Sequence, residues 1–271
     1  MTDFGSQNFN LTYLSCVDIK NEAEGLIEPS GLALSHKKKS LWTVSDDTRK
    51  IFKLGLDGNI KRQKSFDIPE NGLEGIALSP TGEFLVTVKE DNNEIIEIRV
   101  DSREVVYRQR LAGLACYETV AQYFLDTGVN KGLEGVTWNC KTGALFVIKE
   151  GNPGLLIEIS SNLRTIQSHQ LLNEKNGFID TEVAPDEMDF SDICYDRSRD
   201  QFWIISDKAS RLFLYDWQHN KVTGSAKLSY GKDGEYREVE KAEGITINSD
   251  ANRLYVVSDK EARLYVFDIR E

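Results

Sequence analysis

The chain has 271 residues, of which 40% are hydrophobic and 28% are charged. That balance is typical of a folded globular protein and excludes a disordered polymer. The formal net charge of −11 repels phosphate backbones, so we expect no nucleic-acid partner. The four cysteines form no C-x-x-C pair and match no zinc template, so they are interpreted as small apolar side chains or incidental thiols.

The N-terminal segment MTDFGSQNFN is polar, and no apolar run of the chain reaches transmembrane length. The sequence therefore predicts no signal peptide and no membrane span. The first predicted strand is LTYLSCVDI, at residues 11–19, and it has no partner in the segment that follows it.

Five similar units follow this strand, and each opens with a short motif that aligns without gaps. The motifs are PSGLALS (29–35), LEGIALS (73–79), LEGVTWN (133–139), FSDICYD (190–196) and AEGITIN (242–248). Each is followed by a turn and then by apolar runs such as SLWTVSD, QFWIISD and RLYVVSD. Runs of this length without a helical period predict strands, and four antiparallel strands per unit make a propeller blade.

The fifth unit stops after its third strand, so the N-terminal strand is predicted to supply the fourth. This closure removes two exposed sheet edges. We therefore predict an all-β protein, a five-bladed β-propeller in a single domain over residues 1–271, expected to be monomeric. The blades are placed at about 26–70, 71–130, 131–185, 186–238 and 239–271, with the N-terminal strand at 8–20. Segments near 112–132, 173–188 and 230–241 are predicted to be loops.

Two sets of residues recur at fixed places in the units. The second residue of each opening motif forms the first set: Ser30, Glu74, Glu134, Ser191 and Glu243. The acid that ends each second strand forms the other set: Asp46, Glu90, Glu150, Asp207 and Asp259. Each acid lies 16 positions after its partner, as Glu90 does after Glu74. A constant hairpin length brings both sets to one mouth of the central channel, since opposed positions in a hairpin are neighbours.

Carboxylates that crowd together need raised pKa values or a cation. Oxygen ligands suit a hard divalent cation such as Ca²⁺, so the sharper hypothesis is Ca²⁺ held by Glu74, Glu134 and Glu243 with Ser30 and Ser191. The alternative is structural: glycine gives room near the axis while the acid bonds a neighbouring backbone N–H.

The second set also has a structural alternative, in which Asp46, Asp207 and Asp259 cap backbone groups at strand ends. The flanking Lys89, Lys149, Lys208 and Lys260 would neutralise the acids in rim salt bridges, or would bind an anionic substrate group. The fourth unit has Asp192 where the others have glycine. Glu28, two residues before Ser30, and the acids upstream of the fourth motif, Asp186, Glu187 and Asp189, would either add a ligand or lie at the surface, and the surface interpretation is favoured.

The ordered set Ser, Glu, Glu, Ser, Glu resembles the bacterial SdiA-regulated family, also called the YjiK family, over about residues 8–269. VIKEGNP (147–153) and the fifth-unit segments AEGIT and VVSDKEARLY are similar to that family too. The resemblance implies a five-bladed propeller of a bacterial, often envelope-associated, protein and carries no established activity. The localisation of this chain is therefore left open. The EGI-type motif is also similar to esterase-like phytases and calcium-dependent lactonases, which use more blades.

Three functions remain open from the sequence. The first is a binding or scaffold propeller with a divalent cation in its acidic channel, open to a small molecule or a protein at that mouth. The second is a metal-dependent lactonase, esterase or phytase-like hydrolase, with Glu134 or Glu74 as the base. The third is a protein-interaction platform without metal. Because no Ser-His-Asp order and no channel histidine is visible, catalysis is the less favoured interpretation.

Overall fold

Five four-stranded antiparallel sheets surround a central channel. The computed structural model describes residues 9–45, 47–125, 131–232 and 234–270. The first described strand is β1 (Asn10–Asp18). The first blade contains β2 (Pro29–Leu34), β3 (Ser40–Ser45), β4 (Lys50–Gly55) and β5 (Phe66–Asp67). The second contains β6 (Ile76–Leu78), β7 (Phe84–Lys89), β8 (Glu94–Arg99) and β9 (Val105–Arg110).

The remaining blades follow in chain order. The third contains β10 (Leu133–Trp138), β11 (Leu145–Lys149), β12 (Gly154–Ile159) and β13 (Ile166–Leu172). The fourth contains β14 (Asp192–Asp196), β15 (Gln201–Ser206), β16 (Arg211–Asp216) and β17 (Lys221–Lys227). A hairpin of β18 (Ser229–Lys232) and β19 (Glu235–Glu238) comes next. The fifth blade contains β20 (Ala242–Asn248), β21 (Arg253–Ser258) and β22 (Arg263–Arg270).

The N-terminal strand closes the fifth blade, as the sequence predicted. The order of that sheet is β1-β22-β21-β20, and β1 pairs antiparallel with β22 along its whole length. Phe9, directly before β1, is 1% exposed, and its ring meets that of Trp203 edge-on with centroids 4.8 Å apart. The two ends of the described chain are therefore held in one sheet, and the five-bladed propeller is confirmed.

The hydrophobic core is divided among the five contacts between neighbouring blades. The cluster between the fourth and fifth blades, for example, contains Trp203 and Tyr265, both fully buried. Each sheet packs a neighbour on both of its faces, which explains why the strands are continuously apolar rather than alternating. The rigid packing of blade against blade fixes where the inner strands lie around the channel.

Three predicted loops contain some regular structure. Residues 229–238 form the β18–β19 hairpin rather than a plain loop. The segment after β9 has short 3-10 helices, and Val120 between two of them is fully buried. The 3-10 helices are Leu111–Gly113, Tyr117–Thr119, Ala121–Phe124, Glu174–Asn176 and Ser249–Ala251. Over the described ranges, the chain offers no helix with the length and apolar character needed to cross a bilayer.

Candidate functional site: an acidic channel mouth

The inner hairpin of each blade determines where the predicted side chains point. In the first, third and fifth blades the register between the two inner strands shifts by one residue near the start of the hairpin. The shifts fall between Pro29 and Leu32, between Leu133 and Val136, and between Ala242 and Gly244. The predicted Ser30, Glu134 and Glu243 lie within these bulges. A bulge bends the strand and re-aims its side chains, here toward the mouth of the channel.

Nine of the ten predicted residues lie together at this mouth, around a cavity of about 190 Å³. The tenth, Asp46, lies outside the described residues. The lining also includes two residues that the repeat pattern did not predict, Asp189 and Lys241. The full lining consists of Ser30, Glu74, Glu90, Glu134, Glu150, Asp189, Ser191, Asp207, Lys241, Glu243 and Asp259. Eight carboxylic acids thus face one lysine in a single small cavity.

The glycines that follow the opening residues lie where neighbouring blades come closest. A Cβ atom on Gly75 would lie 2.4 Å from the carbonyl oxygen of Glu134, and one on Gly244 would lie 2.5 Å from that of Ser30. Gly31 and Gly135 are equally crowded by the next blade. Such distances are too short for any side chain. Glycine therefore gives room near the axis, as the structural alternative proposed. The close contact between blades at these glycines brings the acids near one another.

Burial and mutual repulsion raise several pKa values at the mouth. The pKa of Glu134 lies well above its ordinary value, first because of burial and then because of the neighbouring Glu74 and Glu90. Burial, followed by the negative charge of Asp207, raises the pKa of Glu243 to about 8. Burial and nearby acids raise the pKa of Asp207 to about 6. Without a bound cation, the carboxyl groups of the mouth are therefore partly protonated at neutral pH.

Two lysines neutralise part of this charge. Lys131 Nζ lies 2.8 Å from Glu150 Oε2, and Lys241 Nζ lies 2.6 Å from Asp259 Oδ2. The other oxygen of Asp259, Oδ1, is buried and finds no hydrogen-bond partner within the described ranges. The mouth therefore keeps more negative charge than its own cations balance.

Pairing with the channel acids was one of two alternatives for the four flanking lysines, and they do not form it. Lys89 lies 3.9 Å from Glu70, and Lys260 pairs with Glu240. Lys208 donates to the carbonyl oxygen of Glu187. Lys149 is fully buried and donates to the carbonyl oxygens of residues 151 and 153. The salt-bridge alternative is therefore not realised for these four lysines, because successive residues of an extended chain point to opposite sides.

Among the described residues, three carboxylates bring oxygen atoms within 4.8 Å of one another: Glu90, Glu134 and Glu150. Glu134 comes from the first predicted set, whereas Glu90 and Glu150 come from the second. Glu90 Oε1 also accepts a hydrogen bond of 3.1 Å from the backbone N–H of Gly132, which connects the second and third blades. Glu134 and Glu150 are the pair predicted within the third blade, and Glu90 joins them across the boundary from the second blade.

Asp189 belongs to the mouth rather than to the surface, unlike Asp186 and Glu187, which are exposed. Only 3% of Asp189 is exposed. Its Oδ1 accepts hydrogen bonds from Ser206 Oγ at 2.7 Å and from the backbone N–H of Lys208 at 3.1 Å. It thereby takes the capping role that was considered for Asp207, whose carboxylate makes no hydrogen bond with any described residue. The only sequence signal for Asp189 was its position two residues before Ser191.

Asp192 lies on the channel axis, directly below the acidic mouth. Its Oδ2 accepts a 2.8 Å hydrogen bond from the backbone N–H of Ile245 in the fifth blade, and its Oδ1 accepts one of 2.8 Å from Ile193. Backbone N–H groups of Val136 and Leu32, in the third and first blades, also act on this carboxylate. Burial raises the pKa of Asp192, and these donors oppose the rise. The departure from glycine in the fourth motif marks this axial link between blades.

The mouth offers only oxygen ligands: carboxylates, and the hydroxyls of Ser30 and Ser191. Such a donor set suits hard cations. Fold and site together define a five-bladed β-propeller with an acid-lined channel. More particularly, the chain belongs to the SdiA-regulated family, whose model matches residues 11–268.

Two solved structures resemble the fold. A glutaminyl cyclase from Myxococcus xanthus has a TM-score of 0.62 at 13% sequence identity, with 96% of this chain and 97% of that chain covered. A streptogramin B lyase has a TM-score of 0.46 at 16% identity, with 89% of this chain and 65% of that one covered. At these identities the first likeness concerns the propeller fold alone.

Proposed function

We propose that this protein is a binding propeller whose acidic channel mouth holds a divalent cation, Ca²⁺. The observation that carries the proposal is the convergence of Glu90, Glu134 and Glu150 within 4.8 Å of one another, in a mouth where eight acids are opposed by two lysines, Lys131 and Lys241. Their spacing lets carboxylate oxygens from two blades reach one ion.

The electrostatics of the mouth favour a cation. Protonation is one way to relieve the repulsion between crowded carboxylates, and the raised pKa of Glu134 reflects this repulsion together with burial. A divalent ion is the other way, and it removes the repulsion without neutralising each acid separately. Ca²⁺ binds six to eight oxygen atoms, and the three carboxylates supply only some of them. The rest of the coordination shell would come from Glu74, Glu243, Ser30, Ser191 and water.

Thermal unfolding of the chelated protein tests this proposal. Titration of CaCl₂ into the EDTA-treated protein is expected to raise the melting temperature, because a ligand that binds only the folded state stabilises it. Glu134→Gln is expected to remove most of that rise. Glu104→Gln changes the same charge at an exposed position on the second blade and serves as the control. Equal Ca²⁺ shifts in the two variants, or no shift in the wild type, would refute the proposal.

Hydrolysis with the cation as Lewis acid is the second candidate. It is favoured by one observation: a carboxyl group whose pKa is about 8, that of Glu243, can exchange a proton near neutral pH. Lactone, aryl-ester and phosphate-ester substrates would be assayed with and without Ca²⁺, and in Glu134→Gln and Glu243→Gln. Turnover that neither variant changes, or no turnover at all, would remove this candidate and leave the binding function.

A further inference from the structure

The opposite mouth of the channel is also a cavity, with a volume of about 320 Å³. Each inner strand contributes one large apolar residue near its end. These five residues are Leu34, Leu78, Trp138, Tyr195 and Ile247. The volume lies in the range of small-molecule pockets. Asp192 lies on the axis between this cavity and the acidic mouth, so the channel is divided into two separate sites.

Some polar groups in the walls of this cavity are already used by hydrogen bonds within the protein. The residue before each large apolar one is small, and two of these residues are Thr137 and Thr246. Thr137 Oγ1 accepts a 3.1 Å hydrogen bond from the backbone N–H of Tyr195, and Thr246 Oγ1 accepts one of 3.1 Å from that of Leu34. These bonds hold neighbouring inner strands together. A ligand there meets hydrocarbon and aromatic surface together with the remaining polar lining.

The charge at this mouth has the opposite sign to that of the acidic mouth. His36, Lys38 and Arg197 line the cavity, with Asp250 as the one acid among its lining residues. The expectation that no histidine lies at the channel therefore holds for the acidic mouth but not for this one. Lys38 forms an ion pair with Asp250. Arg197 is exposed and forms no ion pair with any residue in the described ranges. The formal charge of the chain is −11, whereas Arg197 leaves this mouth with a positive charge because Lys38 and Asp250 neutralise each other.

The indole Nε1 of Trp138 supplies no binding group here, because this atom is buried and a ligand in the open cavity does not reach it. The groups that a ligand can meet are the apolar side chains and the exposed Arg197. A ligand with an apolar body and one anionic end matches both.

We propose that this second mouth, lined by Leu34, Leu78, Trp138, Tyr195 and Ile247 and bordered by Arg197, binds a small apolar carboxylate. The hydrocarbon part lies against the five apolar residues, and the carboxylate faces Arg197. This site is separate from the proposed cation site and does not depend on it.

The experiment uses 8-anilinonaphthalene-1-sulfonate, an apolar anion that fluoresces in apolar sites, with the full chain in EDTA. The dye is expected to bind one to one, and octanoate is expected to displace it at lower concentration than octanol does. Arg197→Gln is expected to weaken the dye about fivefold, the effect of an exposed ion pair. Arg110→Gln, an exposed arginine on β9, is the matched control.

A charge-reversal pair makes the test independent of folding defects. Leu78→Glu and Leu78→Arg lose the same leucine, and urea unfolding checks that both are folded. We expect Leu78→Glu to bind the dye at least tenfold more weakly than Leu78→Arg. Equal binding by the two variants, equal displacement by octanol, or one dye per two chains would overturn the proposal.

Discussion

The contribution of the acidic mouth to the stability of this propeller should fall as the pH rises from about 4.5 to about 8, because the mouth binds protons more tightly than the unfolded chain does. The pKa of Glu243 is about 8 in the folded protein against an ordinary value of 4.5. Between those two values the folded state holds a proton that the unfolded state has lost, so stability decreases across this window. From about pH 4 to about pH 7, this one carboxyl group lowers the free energy of unfolding by about 3 kcal/mol.

Glu243→Gln removes that loss, because the amide resembles the protonated acid in size and carries no charge. In EDTA the variant is expected to match the wild type near pH 4 and to exceed its stability by about 3 kcal/mol near pH 7. Urea unfolding at both pH values measures the difference. Excess CaCl₂ should reverse the order at neutral pH, since the wild type keeps the ligand that the variant lacks.

The control for this comparison is Glu104→Gln, at an exposed position of the second blade. Its stability should follow the wild type at both pH values. The prediction is refuted if the free energies of unfolding of the wild type and Glu243→Gln differ by the same amount at pH 4 and at pH 7. Crowding of Glu243 would then not explain the loss of stability.

Three further changes test the fold around the site. Asp192→Ala leaves the buried N–H groups of Ile245 and Ile193 without their acceptor and should cost about 3 kcal/mol in urea unfolding, since each buried donor without a partner costs ~1–3 kcal/mol; a loss below about 1 kcal/mol would contradict the axial link. Gly75→Ala places a Cβ 2.4 Å from the carbonyl oxygen of Glu134 and should cost at least about 2 kcal/mol, whereas unchanged stability would mean that the blades separate easily. Phe9→Ala empties a fully buried site and should cost about 3–5 kcal/mol, and a smaller loss would show that β1 is not needed for closure.

The sequence by itself determined the repeat, the number of blades and the closure by the first strand. These features depend on local strand patterns and on a count of units, which need no knowledge of distances. The constant spacing of 16 residues also predicted that Glu74 and Glu90, with their equivalents, lie at one mouth. It did so because the length of a hairpin fixes which of its residues are opposed.

Only the tertiary structure decided how the blades meet. Glu90 approaches Glu134 across a blade boundary, and Asp192 reaches Ile245 in the next blade, through contacts that no local pattern encodes. The pairing of Lys241 with Asp259 likewise depends on which side chains the packing turns toward the mouth. The opposite cavity has the same origin, because it arises where five inner strands converge from residues far apart in the chain.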